Sequence, residues 1–183
     1  MIAIAALALA AVAAAGWVSA RNGLTAQREA ILAEWPNVDK ALGRRAELVA
    51  NLAQTVKGFA GAGNPVYGDI AAARADLSSG IAAGAAGTAV QRQIQANSRL
   101  MQACARLFLL AERYPKLNSD RDYRRIGEEI KEAENAVAIE RRKYNELLEH
   151  YNAQLERFPD NIVARISGFS RIDDYVITEQ EVR

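Results

Sequence analysis

Apolar residues recur at alternating three- and four-residue steps through residues 24–59. One line reads Leu24, Ile31, Val38, Arg45, Leu52, Phe59; the other reads Arg28, Trp35, Leu42, Val49, Val56. This is the spacing of a coiled-coil seam and predicts a long helix. Pro36 falls inside it, so the helix either kinks there or restarts with the proline in its first turn. Gly58, Gly61, Gly63, Asn64 and Pro65 then end it. The same spacing returns further on, with Tyr123, Ile130, Val137, Tyr144, Tyr151 and Phe158 on one line and Ile126, Ala133, Glu140, Leu147 and Gln154 on the other. Tyr144-Asn145 and Tyr151-Asn152 are a repeated pair within this helix. Phe158-Pro159 closes it, because a residue preceding proline disfavours the helical conformation.

Between these helices, residues 66–77 form a short helix candidate. Residues 78–87 are rich in Gly, Ala and Ser and predict a flexible connection. Thr88 is placed to cap a helix over residues 89–113, buried through Ile94, Leu100, Met101, Cys104, Leu107, Phe108 and Ala111. Tyr114-Pro115 stops it. Asn118, Ser119 or Asp120 caps the following helix, expected to be the longest. Beyond Pro159 lie a short amphipathic piece at residues 161–167, then Gly168-Phe169. The tail over residues 170–183 has no clear period, and no stretch offers a convincing strand. The pattern therefore predicts an all-α antiparallel bundle of three long helices, running up, down and up, with coiled-coil-like packing and short extra helices.

The amino-terminal segment differs from all of this. Residues 2–20 hold no charge, and Arg21 closes the run. As a helix these 19 residues span roughly 28 Å, close to the hydrocarbon thickness of a bilayer. Trp17 and Arg21 sit where interfacial residues belong. The reading is a transmembrane anchor over residues 1–20, continuing into a bundle over 21–169 and a tail over 170–183. A cleaved signal peptide is the competing reading, since Ala13-Ala14-Ala15 and Val18-Ser19-Ala20 offer small residues for cleavage. Against it, the basic amino-terminal region of such peptides is missing. Arg21 and Arg28 follow the span while no basic residue precedes it, which orients the body toward the cytoplasm and the amino terminus outward, with the reverse orientation as the alternative.

Charge narrows the partners. The 23 basic and 22 acidic residues of the 183-residue chain leave +1, without a nucleic-acid footprint. A single cysteine, Cys104, excludes an internal disulfide and a cysteine-rich metal site.

Many of these residues, in this order, resemble the LemA family. One part of the signature runs from Trp35 through Asp39, Leu42, Arg44-Arg45, Leu48-Val49, Asn51-Leu52 and Thr55-Val56-Lys57-Gly58 to Phe59. A second comprises Ala111-Glu112, Tyr114-Pro115, Glu134-Asn135, Tyr144-Asn145, Tyr151-Asn152, Phe158-Pro159, Asn161, Ala164 and Gly168-Phe169. The resemblance extends over nearly the whole chain, including the amino-terminal segment. It implies a bacterial membrane-anchored helical protein with no known cofactor and no catalytic residues to carry over. The chain departs from the family at Ala50, where a proline is usual, so its helix is expected to be straighter at that turn.

Few residues are candidates for chemistry. Arg45 and Glu140 interrupt otherwise apolar seams, and a charge at a seam is costly unless paired. If the first and last long helices run parallel, the two lie about one turn apart, and Arg45 or its neighbour Arg44 forms an ion pair with Glu140 that sets helix register; otherwise both extend to solvent. Tyr144 and Tyr151 are expected to fill the seam, with Asn145 and Asn152 bonding across helices or offering a face to a partner helix. His150 is the only histidine and follows Leu147 where a four-helix metal site needs a glutamate. Cys104 lies on an apolar stripe. Glu128, Glu129, Glu132 and Glu134 read as a solvated helix face balanced by Arg124, Arg125 and Lys131. No catalytic residue, metal site or cofactor is indicated.

The function expected is that of a non-enzymatic membrane scaffold, whose partners are the lipid bilayer and further copies of itself through the small-residue faces around Ala6, Ala10, Ala13 and Ala14. Two alternatives stand beside it: a monomeric tethered adaptor recruiting a protease, phosphatase or envelope enzyme, and a periplasmic protein released by cleavage.

Overall fold

The computed structural model describes residues 2–82 and 87–172. They form six helices and no strand: α1 Ile2–Ala60, α2 Val66–Ala82, α3 Gly87–Ala111, α4 Pro115–Asn118, α5 Arg121–Glu156 and α6 Asp160–Ser167. The all-α class follows from the 3.5-residue pattern, and each end has a local cause. Gly61 stands at φ 79° after α1, with its N–H bonded to the Lys57 carbonyl at 3.0 Å. Asn64 Oδ1 accepts the Val66 N–H at 3.0 Å and starts α2. Asp120 Oδ1 accepts the Tyr123 N–H at 2.8 Å, which selects it among the three expected caps of α5. Gly168, at φ 75°, closes α6.

Several boundaries differ from those expected. α1 runs unbroken from the apolar segment into the body, and with 59 residues it, rather than α5 with 36, is the longest helix. Pro36 lies inside α1 without restarting it; it is exposed, so the turn missing its hydrogen bond is one that water reaches. Ala50 is helical, as expected. α2 continues through Ser78, Ser79 and Gly80 to Ala82, so only residues 83–86 of the expected connection lie outside the described ones. α3 begins at Gly87, which puts Thr88 in its first turn rather than at its cap, and ends at Ala111. The turn α4 after Pro115 was not foreseen.

The chain divides into two compact units. The first is drawn from Met1–Glu34 and Lys143–Asp174, the second from Trp35–Arg142. In the first, α1 and α5 are antiparallel: Gly23 faces Gln154, and Arg28 lies beside the Tyr151 hydroxyl. Leu24, Ile31, Tyr144, Leu148, Tyr151, Val163 and Ala164 are its buried core. Residues 3–16 of α1 are exposed all around, with Ile4, Leu7, Leu9 and Val12 each more than 70% accessible.

In the second unit the helix directions can be read from pairs of contacts. Asp69–Arg106 (2.9 Å) and Asp76–Arg99 (3.1 Å) make α2 and α3 antiparallel. Asp39–Gln93 and Arg45–Asn97 make α1 and α3 parallel. Phe108 stacks edge-on against Tyr123 at 6.4 Å, and Cys104 lies beside Glu134, which makes α5 antiparallel to α3. The order is up, down, up, down, not the three-pass order expected, because α2 at 17 residues is long enough to make a pass of its own. The seam residues Trp35, Val38, Leu42, Val49, Leu52 and Val56 are buried here.

Both seams lose members at their ends. Phe59 is 44% accessible, Phe158 is 75% accessible, and Arg28 is exposed. On α5 the buried stripe passes from Ile126, Ile130, Ala133 and Val137 to Tyr144, Leu148 and Tyr151, leaving Leu147 and Glu140 half-buried. A straight helix drifts about 20° per heptad relative to a strict seven-residue repeat, which carries burial from position 147 to 148.

Candidate functional site

Four polar side chains are buried among the described residues: Arg45, Gln93, Asn97 and Asn152. Three of them form a polar layer inside the second unit. Arg45 comes from the α1 seam, and its Nη2 donates to Asn97 Oδ1 on α3. One turn earlier on α3, Gln93 Nε2 donates to Asp39 Oδ1 at 2.6 Å. The Trp35 indole lies near enough to Asp39 to favour its carboxylate. Because Asp39 and Arg45 both reach α3, the layer ties these two helices at two levels. A helix-register role for buried polar groups has precedent in coiled coils.

Electrostatics give this layer no reactive group. Burial raises the Asp39 carboxyl above the ordinary carboxylate range, while the Gln93 amide and then the Trp35 indole pull it back in part. Cys104 lies close by, and its thiol is pushed up to about 11, first by burial and then by Glu134, with Arg45 acting in the opposite sense. A thiol held so far from its thiolate is a core residue, not a nucleophile. The α2–α3 contact beside the layer is close: a Cβ on Gly80 would meet Gln93 Cβ at 3.3 Å.

The register argument for Arg45 and Glu140 assumed parallel first and last helices, whereas α1 and α5 are antiparallel in the first unit. Arg45 is buried and bonded to Asn97, and Glu140 is half-buried. Gln93 and Asn97, which the sequence reading missed, carried a signal. They occupy the stripe 93, 97, 100, 104, 107, 111 of α3, where two amides interrupt apolar positions as Arg45 does on α1.

The Tyr-Asn pairs lie in the first unit. Tyr144 and Tyr151 fill the core, and burial raises both hydroxyls above the ordinary tyrosine value, with Arg28 partly offsetting the shift at Tyr151. Asn145 is half-buried. The second pair holds the chain that follows α6. Tyr151 Oη donates to the Ser170 carbonyl at 3.1 Å, Asn152 Nδ2 donates to the Ile172 carbonyl at 2.8 Å, and Asn152 Oδ1 accepts the Ile172 N–H at 3.1 Å. Trp17 is half-buried and Arg21 exposed, its carbonyl accepting the Thr25 hydroxyl at 2.9 Å. His150 and Glu128 are exposed.

The fold and its polar layer define a class of helical protein in which an apolar amino-terminal helix, long enough to cross a membrane, runs directly into a bundle. The chain belongs to the LemA family, which it matches over residues 34–183. The match covers the tail and begins after the apolar segment, so it is narrower at the amino-terminal end than the resemblance suggested. Among curated relatives, the chain is 32% identical over 71 residues to Magnetosome protein MamQ 2 and to Magnetosome protein MamQ 1 of Paramagnetospirillum magneticum. It is 28% identical over 71 residues to Magnetosome protein MamQ of Magnetospirillum gryphiswaldense. These matches take in 39% of this chain and 26% of each relative, so the chain aligns with about a quarter of their length.

Proposed function

We propose that this chain is a non-enzymatic, membrane-anchored helical scaffold that self-assembles at a bacterial inner membrane. The observation that carries the proposal is the continuity of α1. Its first part is apolar and uncovered on every side, and the same helix supplies the seam of the bundle. An uncovered apolar helix of that length is stable in lipid, not in water. Its alanine-rich surface favours close packing between copies. Arg21 and Arg28 after the span favour a cytoplasmic body. The segment shared with the magnetosome proteins is read as a common helical platform, without a magnetosome role for this chain.

The test is imaging of the detergent-extracted full-length protein with and without residues 1–20. Regular multimeric particles that disappear on truncation support the scaffold. Monomers in both forms overturn it and favour the tethered adaptor. Intact mass short of the amino-terminal segment would instead establish release by cleavage.

A further inference from the structure

α6 is amphipathic on two opposite sides. Val163 and Ala164 are buried, and Ile162 and Ile166 stand on the other side at 48% and 68% accessible. Phe158, in the turn that leads into α6, is 75% accessible. Ile162 and Ile166, one turn apart on α6, and Phe158 in the turn before it are three uncovered large apolar side chains within nine residues, with Arg157 and Arg165 among them, both exposed. In water such a strip is an unfavourable surface for eight residues of helix to hold out.

Its place in the first unit says what covers it. Asp160, the first residue of α6, accepts a hydrogen bond from Gln154 Nε2 at 2.9 Å. That same nitrogen lies against Gly23 of α1, where a Cβ would meet it at 3.4 Å. Gly23 is three residues beyond the apolar segment, roughly 4.5 Å along the helix axis. Because α5 runs antiparallel to α1 in this unit, its carboxyl end is directed toward the apolar segment, and α6 follows at that end. Glu156 is paired with Arg171 at 3.4 Å, which leaves Arg157 and Arg165 against the single carboxylate of Asp160. The arginines beside the strip therefore give this end a positive balance.

We infer that Phe158, Ile162 and Ile166 form a second membrane contact: α6 lies in the lipid interface beside the α1 span, with Arg157 and Arg165 directed toward anionic headgroups. An amphipathic helix at this depth places its apolar face about 5–10 Å into the boundary of headgroups and acyl chains. The inference rests on the anchored reading of α1, and it makes the body's attachment two-point rather than a single flexible tether.

The test uses full-length protein carrying Cys104→Ala, reconstituted in vesicles of zwitterionic and anionic phospholipid with or without a doxyl-labelled lipid. A single environment-sensitive fluorophore is placed in turn at Leu9→Cys, Ile166→Cys and Ser119→Cys. The expected result is blue-shifted emission and loss of about half or more of the signal to the doxyl lipid at positions 9 and 166, with none at 119. Quenching at position 9 but not at 166 overturns the α6 contact and leaves the anchor standing. A blue shift at 166 without quenching also overturns it, because the strip is then covered by a second copy of the protein. Absence of quenching at position 9 overturns the anchored reading and the α6 contact together. Ile166 is exposed, so its replacement leaves the core intact.

Discussion

Asn152 and Ile172 exchange two hydrogen bonds, side-chain amide to backbone, across twenty residues of sequence. Nδ2 reaches the Ile172 carbonyl at 2.8 Å, and Oδ1 receives the Ile172 N–H at 3.1 Å. The primary amide presents the same donor–acceptor pair as a neighbouring strand, so it satisfies an extended segment that has no sheet to join. Replacing Asn152 with leucine leaves both backbone groups of Ile172 without this partner. We expect a loss of about 1–3 kcal/mol in urea unfolding. Tyr151→Phe, which removes only the bond to Ser170, should cost about 1 kcal/mol. Equal effects for the two variants would argue against the two-bond clamp.

In the polar layer, Asn97→Ala removes an acceptor from a buried guanidinium and should destabilise the second unit by about 2–3 kcal/mol. The double replacement Arg45→Met with Asn97→Leu should recover part of that loss, because an apolar pair demands no desolvation of charge. Thermal melting of the three proteins decides the point; a double variant weaker than Asn97→Ala would show that Arg45 contributes stability in its own right.

Asp39 gives the stability a pH dependence of known sign. Burial raises its folded-state pKa above the unfolded value of 3.8, so the folded protein binds the proton more tightly. The penalty of holding the carboxylate is complete at neutral pH and is relieved as pH falls through the raised pKa. Measured by denaturant titration at successive pH values, wild type should gain stability relative to Asp39→Asn on acidification. A gap that moves the other way would contradict the burial.

Cys104 should resist alkylation. A thiol pKa of about 11 against an ordinary 9.0 lowers the thiolate fraction at pH 8 by about a hundredfold, before access through the core is considered. Iodoacetamide labelling followed by mass should be slow in native protein and fast in denaturant. Rapid native labelling would place the thiol at the surface.

Gly80 tests the α2–α3 approach. Alanine there gains up to about 1 kcal/mol of helix propensity but crowds Gln93, whose Cα and Cβ belong to a packed helix and move little. Gly80→Leu should lose about 1–3 kcal/mol through overpacking. A fully stable Gly80→Leu protein would mean the two helices part easily.

The seam of α1, its arrest at Gly61, the capped start of α5 and the amphipathic character of α6 were legible in the residues, because each is decided by neighbours a few positions apart. The polar layer was half legible. Arg45 announced itself as a charge on an apolar line, but its partner depended on which helices run alongside each other. That question turned on α2: a Gly-Ser-Ala stretch has weak local preference, and only packing against α3 extends it through Ser78 and Gly80 into a full pass. With that extra pass α3 runs parallel to α1, which brings Asn97 to Arg45. Asn152 was visible as a repeated motif, yet its bonds to Ile172 required the chain to turn back after α6. The sequence by itself therefore determined the long helices and the apolar amino-terminal segment, since helical periodicity and hydropathy act locally. Helix direction and the partners of the buried polar groups were decided only in the tertiary structure, where residues distant in the chain must satisfy one another's hydrogen bonds out of reach of water.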